Sequence, residues 1–284
     1  MKKHITGYLF VLPYMCVFLP FVVLPLIIGL GLGFVRWEML SSEGPSFIGF
    51  EQFARAFNDP YFWFALKATS LFVVFCVPLT VLLSLTIAMG LQALKKRQAF
   101  YRSLFVLPMM VNITVVGILW RWMLNTDFGV FNGYLKSIGL QVPWTGEPGW
   151  AMLSIVLLTL WWGIGAPTII LLAGLKQIPT QYYEAAMIDG ANGYRRFLAV
   201  TIPLLKPSMI FVVITQLIGS FQIFGQTFIV TRGGPSNSTR VLMQHIYETA
   251  FVQYRIGYGA AMSMMLFVVI AIVSLTQYLV MRER

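Results

Sequence analysis

The fold of this chain is decided by residues 68–94, ATSLFVVFCVPLTVLLSLTIAMGLQAL, a stretch that contains no Asp, Glu, Lys, Arg or His. A helix needs about 20 consecutive apolar residues to cross the hydrocarbon core of a bilayer, so this stretch predicts a transmembrane helix. Five further apolar stretches, separated by more polar segments, bring the predicted number of spans to six. Their bounds are residues 9–35, 68–94, 104–124, 151–175, 207–230 and 259–281.

The composition supports the same fold class. Hydrophobic residues make up 58% of the 284 residues, charged residues only 11%, and the mean hydropathy is +0.78. A soluble domain carries about 25% charged residues, so most of this surface must face lipid. We therefore predict an all-α membrane protein whose residues 1–284 form a single transmembrane domain. The net charge of +10 does not predict a nucleic-acid partner, because basic residues beside apolar spans orient membrane helices.

The basic residues predict the orientation of the spans. Lys2 and Lys3 precede an apolar run, as in a signal peptide, but the run is too long and lacks a small-residue cleavage site, so we expect a retained span. With six spans, both termini share a side with the second and fourth loops, and that side holds twelve of the 20 Lys and Arg residues. The cluster at residues 95–97 is the strongest part of this bias. Both termini are therefore predicted to be cytoplasmic.

Charged side chains are almost absent from the predicted spans. Apart from Arg121, near the end of the third, the spans contain no Asp, Glu, Lys, Arg or His. Proton-driven carriers place such groups in the membrane, and an enzyme would need a catalytic acid, base or metal cluster there, so both classes are disfavoured. A sodium-coupled carrier stays open, because hydroxyls and backbone carbonyls can bind sodium.

Two sets of small, neutral polar and aromatic residues recur at the helical spacing i, i+3, i+4 and i+7, which puts each set on one helix face. They are Thr159, Trp162, Gly163 and Ala166 on the fourth span, and Gln216, Gly219, Ser220 and Ile223 on the fifth. Such a combination suits a sugar, whose hydroxyls need hydrogen bonds and whose apolar face stacks on an aromatic ring. Close helix packing explains the same spacing, so both interpretations stay open.

The loop at residues 176–206 predicts two short helices against the membrane surface. Pro179 and Thr180 supply a helix start, and Gly190 can end that helix with a positive φ angle. A second helix is predicted from Tyr194 to about Thr201, with its stop at Ile202–Pro203. Phe197 is expected to anchor this second helix in the core.

The first of these helices has the features of a docking surface. Ala185 and Ala186 leave a flat patch that another backbone can approach, and Glu184 and Asp189 offer acceptors to basic groups of a partner. With Gly190, Phe197, Ile202–Pro203 and Pro207 at their spacing, these residues resemble the EAA loop of permease subunits in bacterial ABC importers. The resemblance implies a type I importer permease fold. It also implies that a coupling surface contacts an ATPase through Glu184, Ala185, Ala186, Asp189 and Gly190.

Three further segments narrow the resemblance to carbohydrate permeases similar to MalF and UgpA, over nearly the whole chain. They are FIGFEQF at 47–53, TRGGPSNST at 231–239 and GYGAA at 257–261. We expect no counterpart here of the large periplasmic insertion and the extra N-terminal spans of MalF itself. The family pattern implies a second, MalG-like permease subunit, two cytoplasmic ATPase subunits that bind ATP and Mg²⁺, and an extracytoplasmic sugar-binding protein. It also implies a multi-pass position in the bacterial inner membrane.

The expected function is therefore that of a non-catalytic subunit forming half of a sugar path. No Gly-Lys pair occurs, so the chain has no P-loop and must receive energy from another subunit. No cofactor, metal site or catalytic residue is predicted in this chain. A mono-, di- or oligosaccharide, a polyol and glycerol phosphate all stay open as substrates, and the uncharged spans favour a neutral sugar. A sodium-coupled secondary sugar carrier and a scaffold without transport are the alternatives.

Overall fold

The computed structural model describes residues 2–94 and 96–282, with side chains from residue 10 onward, so Lys95 of the predicted basic cluster lies outside the described residues. The chain forms two compact units. The first comprises the residues up to Phe64 together with His245–Val269. The second comprises Ala65–Gln244 together with the residues from Ile270 onward. The prediction of a single transmembrane domain stays a prediction.

The described residues are mostly helical. In chain order the helices are α1 (Lys2–Phe18), α2 (Leu24–Leu32), α3 (Glu51–Phe57), α4 (Pro60–Ala93), α5 (Gln98–Met110), α6 (Ile113–Met123), α7 (Val130–Lys136), α8 (Pro148–Gly163), α9 (Gly165–Lys176), α10 (Thr180–Ile188), α11 (Gly193–Arg196), α12 (Ile202–Phe221), α13 (Gly225–Val230), α14 (Leu242–Tyr247) and α15 (Ile256–Arg282). Three π-helical turns join neighbouring helices, at Leu19–Val23, Phe197–Thr201 and Glu248–Val252. A short antiparallel ribbon is formed by β1 (Val35–Arg36) and β2 (Ser46–Phe47).

Four described helices are long and apolar enough to cross a membrane, namely Phe10–Leu32, Pro60–Ala93, Gly193–Phe221 and Ile256–Arg282. Two bent pairs, α5 with α6 and α8 with α9, bring the number to six if each pair is one span. The first span ends at Leu32 rather than at the predicted residue 35. Gly33, where a Cβ would meet Met264 and Phe53, follows the helix, and the chain then extends into β1.

Each of the predicted third and fourth spans, 104–124 and 151–175, is interrupted by a bend. The axes of α5 and α6 differ by 93°, and those of α8 and α9 by 52°. At the first break the side chain of Asn112 accepts a hydrogen bond from the Thr114 N–H and so caps α6. At the second break Pro167 has no N–H to donate to the carbonyl of Gly163, which weakens the helix there.

The predicted fifth span, 207–230, is wrong at both ends, and the predicted helix stop at Ile202–Pro203 is wrong as well. The helix runs without interruption from Gly193 to Phe221, and α13 follows it as a separate helix. Pro203 does not end the helix because a π-helical turn, with the Ile202 N–H bonded to the Phe197 carbonyl, lies directly before it. Local π geometry is one of the ways in which membrane helices accommodate proline.

Two apolar clusters form the core of the second unit, and α4 contributes to both. One cluster contains Phe72 and Cys76 of α4 beside Ile155 and Leu158 of α8. The other contains Leu85 and Leu91 of α4, with Leu171, Leu175 and Leu205. Gly174 permits the close contact of α9 with α12, since a Cβ there would meet Ser208 and Leu205. These contacts bring α4, α8 and α12 together around a common space.

Candidate substrate cavity and coupling surface

A cavity of about 280 Å³ lies in the second unit among α4, α5, α8, α12 and α13. It is lined by Phe72, Thr80, Met109, Thr159, Trp162, Gly163, Gln216, Gly219, Ser220, Ile223 and Gln226. No charged side chain lines it in the described part of the chain. The cavity is thus a neutral space between the two helices that carry the predicted stripes.

Seven of the eight stripe residues line this cavity, and Ala166 does not. Ala166 is absent because the chain bends by 52° after Gly163, so its position no longer follows the face of α8. Ile223 lies beyond the end of α12 at Phe221 but still lines the cavity. The helical spacing therefore identified residues that share a space, although the helices it assumed are both interrupted.

Sequence reasoning missed Thr80 and Gln226 as lining residues. Gln226 has an exposed fraction of 9%, and it lies on α13, which the sequence did not separate from the fifth span. A signal was available, because a glutamine within an apolar span requires a polar neighbour or a ligand. No such signal was available for Thr80, because a threonine in a helix can donate its hydroxyl to a carbonyl of the same helix.

The cavity contains polar groups with spare hydrogen-bonding capacity. The hydroxyls of Thr80 and Thr159 each donate to a carbonyl of their own helix, at 2.8 Å. The side-chain amides of Gln216 and Gln226 make no hydrogen bond to any residue that the structure describes. An amide supplies both donors and acceptors, so these two groups can bind the hydroxyls of a neutral ligand.

The indole of Trp162 is held in a defined orientation at the wall of the cavity. Its Nε1–H donates to the carbonyl of Val111 at 3.0 Å, where the break between α5 and α6 leaves that carbonyl outside a regular helix. The same bond therefore satisfies the backbone at the break and fixes the ring. A fixed indole is a suitable surface for the apolar face of a sugar.

A second and larger cavity in the same unit is apolar. It measures about 690 Å³ and is lined only by apolar and aromatic side chains, among them Trp120, Trp144 and Trp161. A sugar would lose its hydrogen bonds to water there without replacement, at a cost of about 1–3 kcal/mol for each group. The smaller cavity is therefore the better candidate for a polar substrate.

The predicted coupling surface lies on α10, which spans Thr180–Ile188. Glu184, Ala185, Asp189 and Gly190 are exposed, and Ala186 is half-buried. Gly190 has φ +75°, and the chain closes there through bonds from Gly190 N–H to the Met187 carbonyl and from Ala191 N–H to the Ala186 carbonyl. The predicted short helix and its glycine stop are thus present. The role of the five residues in coupling stays a prediction.

The tip of α10 carries exposed apolar side chains that the sequence reasoning did not single out. Ile188 has an exposed fraction of 88%, and Met187 and Tyr182 are also exposed. Apolar side chains beside the carboxylates of Glu184 and Asp189 are the features of a surface that docks another protein. Within the described residues, no group of three or more His, Cys, Asp and Glu side chains could hold a metal ion.

Comparisons with known proteins identify the family of this chain. Residues 81–283 match the family described as binding-protein-dependent transport system inner membrane component. The lactose transport system permease protein LacF of Rhizobium radiobacter is 34% identical, over 99% of this chain and 95% of that protein. The trehalose/maltose transport system permease protein MalF of Thermococcus litoralis is 33% identical, over 93% and 89%.

A solved structure shares the fold. The crystal structure of a bacterial ABC transporter involved in the import of the acidic polysaccharide alginate contains a chain that superposes with a TM-score of 0.82. The match covers 99% of this chain and 96% of that chain at 24% sequence identity, so it supports the fold alone. The family match over residues 81–283 covers more than half of this chain, and the two relatives are each more than 30% identical to it. This chain therefore belongs to the family of inner membrane components of binding-protein-dependent transport systems.

Proposed function

We propose that this chain forms half of the translocation path of an ATP-driven importer for a neutral sugar. The similarity to permeases for lactose and for trehalose/maltose supports a sugar as the substrate. The family assignment gives no support to a sodium-coupled carrier. It also argues against a scaffold without transport, because the matched family consists of components of transport systems.

The observation that carries this proposal is the neutral cavity. Gln216 and Gln226 offer uncommitted amides, and Trp162 offers an oriented ring, in a space of about 280 Å³. That volume accommodates a sugar unit rather than a long chain. The lack of a charged lining among the described residues favours a neutral sugar over glycerol phosphate, because a phosphate would need a cationic partner in this apolar setting.

The remaining parts of the importer are supplied by other subunits. This chain has no P-loop, so we assign ATP and Mg²⁺ binding and hydrolysis to two cytoplasmic ATPase subunits, and no catalysis to this chain. A second permease subunit would complete the path, and an extracytoplasmic binding protein would deliver the sugar. In this arrangement the chain lies in the inner membrane of a bacterium with both termini in the cytoplasm.

Reconstitution of the complete importer in vesicles tests the proposal. Uptake of lactose, trehalose or maltose should require ATP and the binding protein, and should persist without a sodium gradient. Gln216→Ala and Trp162→Ala should each lower uptake by about tenfold, the effect expected when a hydrogen bond or ring contact to a ligand is lost. Gln222→Ala is the matched control, because Gln222 is exposed and does not line the cavity.

Two results would contradict this function. Uptake that follows the sodium gradient in the absence of ATP would contradict an ATP-driven importer. Uptake that is unchanged in both cavity variants would mean that the two stripes serve only in helix packing.

A further inference from the structure

The helix α10 is held to its unit by one side chain in particular. Its other large aromatic and apolar side chains are exposed, whereas Tyr183 is half-buried. The ring of Tyr183 packs against the apolar cluster that includes Leu171, Leu175 and Leu205. Movement of α10 relative to this cluster would therefore disturb the packing of Tyr183.

The hydroxyl of Tyr183 makes a specific second contact. It lies 3.1 Å from Oγ1 of Thr201, which is buried and 18 residues later in the chain. Thr201 is the last residue of the π-helical turn Phe197–Thr201, and α12 begins at the next residue. This hydrogen bond thus joins α10 directly to the start of α12.

The covalent route between the same two helices is longer and contains several deformable points. It passes through the left-handed turn at Gly190, the short helix α11 and the π-helical turn. π-Helical turns in α-helices occur frequently at functional sites. Because Thr201 lies at the far end of the π-helical turn, the bond from Tyr183 bypasses all three points.

The helix α12 connects this contact with the candidate cavity. Gln216 and Ser220 lie 15 and 19 residues after Thr201, which corresponds to about 22–28 Å along a helix. A rigid helix carries a displacement at one end to the other. A shift of Thr201 would therefore move two residues that line the cavity.

We propose that Tyr183 is a positioning residue for energy coupling, which transmits movement of α10 to α12 through its hydrogen bond to Thr201. This role rests on the proposed function, in which an ATPase subunit moves α10. Tyr183 touches neither ATP nor the sugar. Its hydrogen bond makes α12, which lines the cavity, move together with α10, which carries the docking surface.

Tyr183→Phe tests the role because it removes the hydroxyl and keeps the ring. In the reconstituted complex, sugar imported per ATP hydrolysed should fall roughly two- to tenfold, the equivalent of one net hydrogen bond between neutral groups. The sugar is whichever of lactose, trehalose and maltose supports uptake by the unaltered complex. The amount of ATPase subunit that co-purifies should be unchanged. Thr201→Val should give the same fall, and Thr201→Ser should retain the ratio.

Tyr182→Phe is the matched control, because Tyr182 is the neighbouring tyrosine of α10 and its side chain is exposed. The Tyr182→Phe variant should import as much sugar per ATP hydrolysed as the unaltered complex. The double variant Tyr183→Phe/Thr201→Val should show no larger fall than either single variant, since both remove the same bond.

An unchanged ratio in Tyr183→Phe, or additive effects in the double variant, would overturn the role of Tyr183. A fall that is matched by loss of the ATPase subunit would overturn it as well, since Tyr183 would then support docking only. An unaltered complex that hydrolyses ATP and imports no sugar would instead overturn the proposed function.

Discussion

Gly190 shows how a single residue can be required for its backbone rather than for its size. Its φ of +75° lies in the left-handed region, where a side chain costs about 1–2 kcal/mol. Open space surrounds it, because a Cβ at this position would meet no described atom within 4 Å. The requirement for glycine is therefore conformational, and it concerns the turn that ends α10.

We expect Gly190→Val to uncouple ATP hydrolysis from uptake, while the chain stays inserted in the membrane. Valine is strongly disfavoured at positive φ, so the turn and the direction of α10 should change. Gly190→Asn should retain most of the coupling, because asparagine tolerates the left-handed conformation. The measurement is sugar imported per ATP in vesicles. Equal coupling in the valine variant would show that the turn is not needed.

Among the elements, α7 carries a buried amide that attaches it to both flanking segments. The Asn132 side chain is fully buried, and its Nδ2 donates to the carbonyls of Thr126 and Val142. Its Oδ1 accepts from the Val142 N–H and from Nε1 of Trp144, both at 3.1 Å. One side chain thus joins α7 to the segments before and after it.

We expect Asn132→Leu to destabilise the folded chain by at least about 2 kcal/mol. Leucine has a similar volume, but it leaves the carbonyls of Thr126 and Val142 and the Val142 N–H, which lie in half-buried residues, without the partner that Asn132 supplies. A polar group left without a partner away from water costs about 1–3 kcal/mol. Thermal unfolding in detergent, followed by loss of monodisperse protein, would measure the change. Ser137→Ala should have little effect, since that exposed hydroxyl makes a single bond, to the Tyr134 carbonyl. Equal stability of the two variants would contradict the role of Asn132.

At the scale of the whole molecule, membrane orientation follows from charge. Twelve of the 20 Lys and Arg residues lie on the side that carries the termini and α10, and Lys and Arg are retained on the cytoplasmic side. The orientation is a prediction independent of the substrate. It decides whether α10 can reach a cytoplasmic ATPase at all.

Cysteine labelling tests this orientation. In a chain whose Cys16 and Cys76 are replaced by alanine, Gln181→Cys should react with a membrane-impermeant maleimide only after the membrane is opened. Ser137→Cys, in the loop between the third and fourth spans, should react from outside. Both positions are exposed, so the difference reports the side of the membrane. The reverse pattern would contradict cytoplasmic termini.

The sequence alone determined the parts of this protein that depend on composition and local spacing. Apolar runs specify spans because burial in lipid depends on the residues of each segment. The helix over Thr180–Ile188 and the left-handed Gly190 followed from local start and stop signals. The two stripes were likewise identified from the helical spacing i, i+3, i+4 and i+7 alone.

Asn112 and Pro167 are local features of the two breaks, but only the tertiary structure decided which partners satisfy the freed backbone groups and which polar groups remain available. The Val111 carbonyl at the α5–α6 break is satisfied by Trp162, 51 residues away. Gly165 lies against the backbone of Phe105. Continuity through Pro203 likewise depends on the π-helical turn before it. Since a backbone group freed from a membrane helix must find a partner, the break forms where a distant neighbour supplies one. That neighbour is invisible in a local window of sequence. The sequence marks Gln226 as a polar residue in an apolar span, but only the structure shows that it lines the cavity with Gln216.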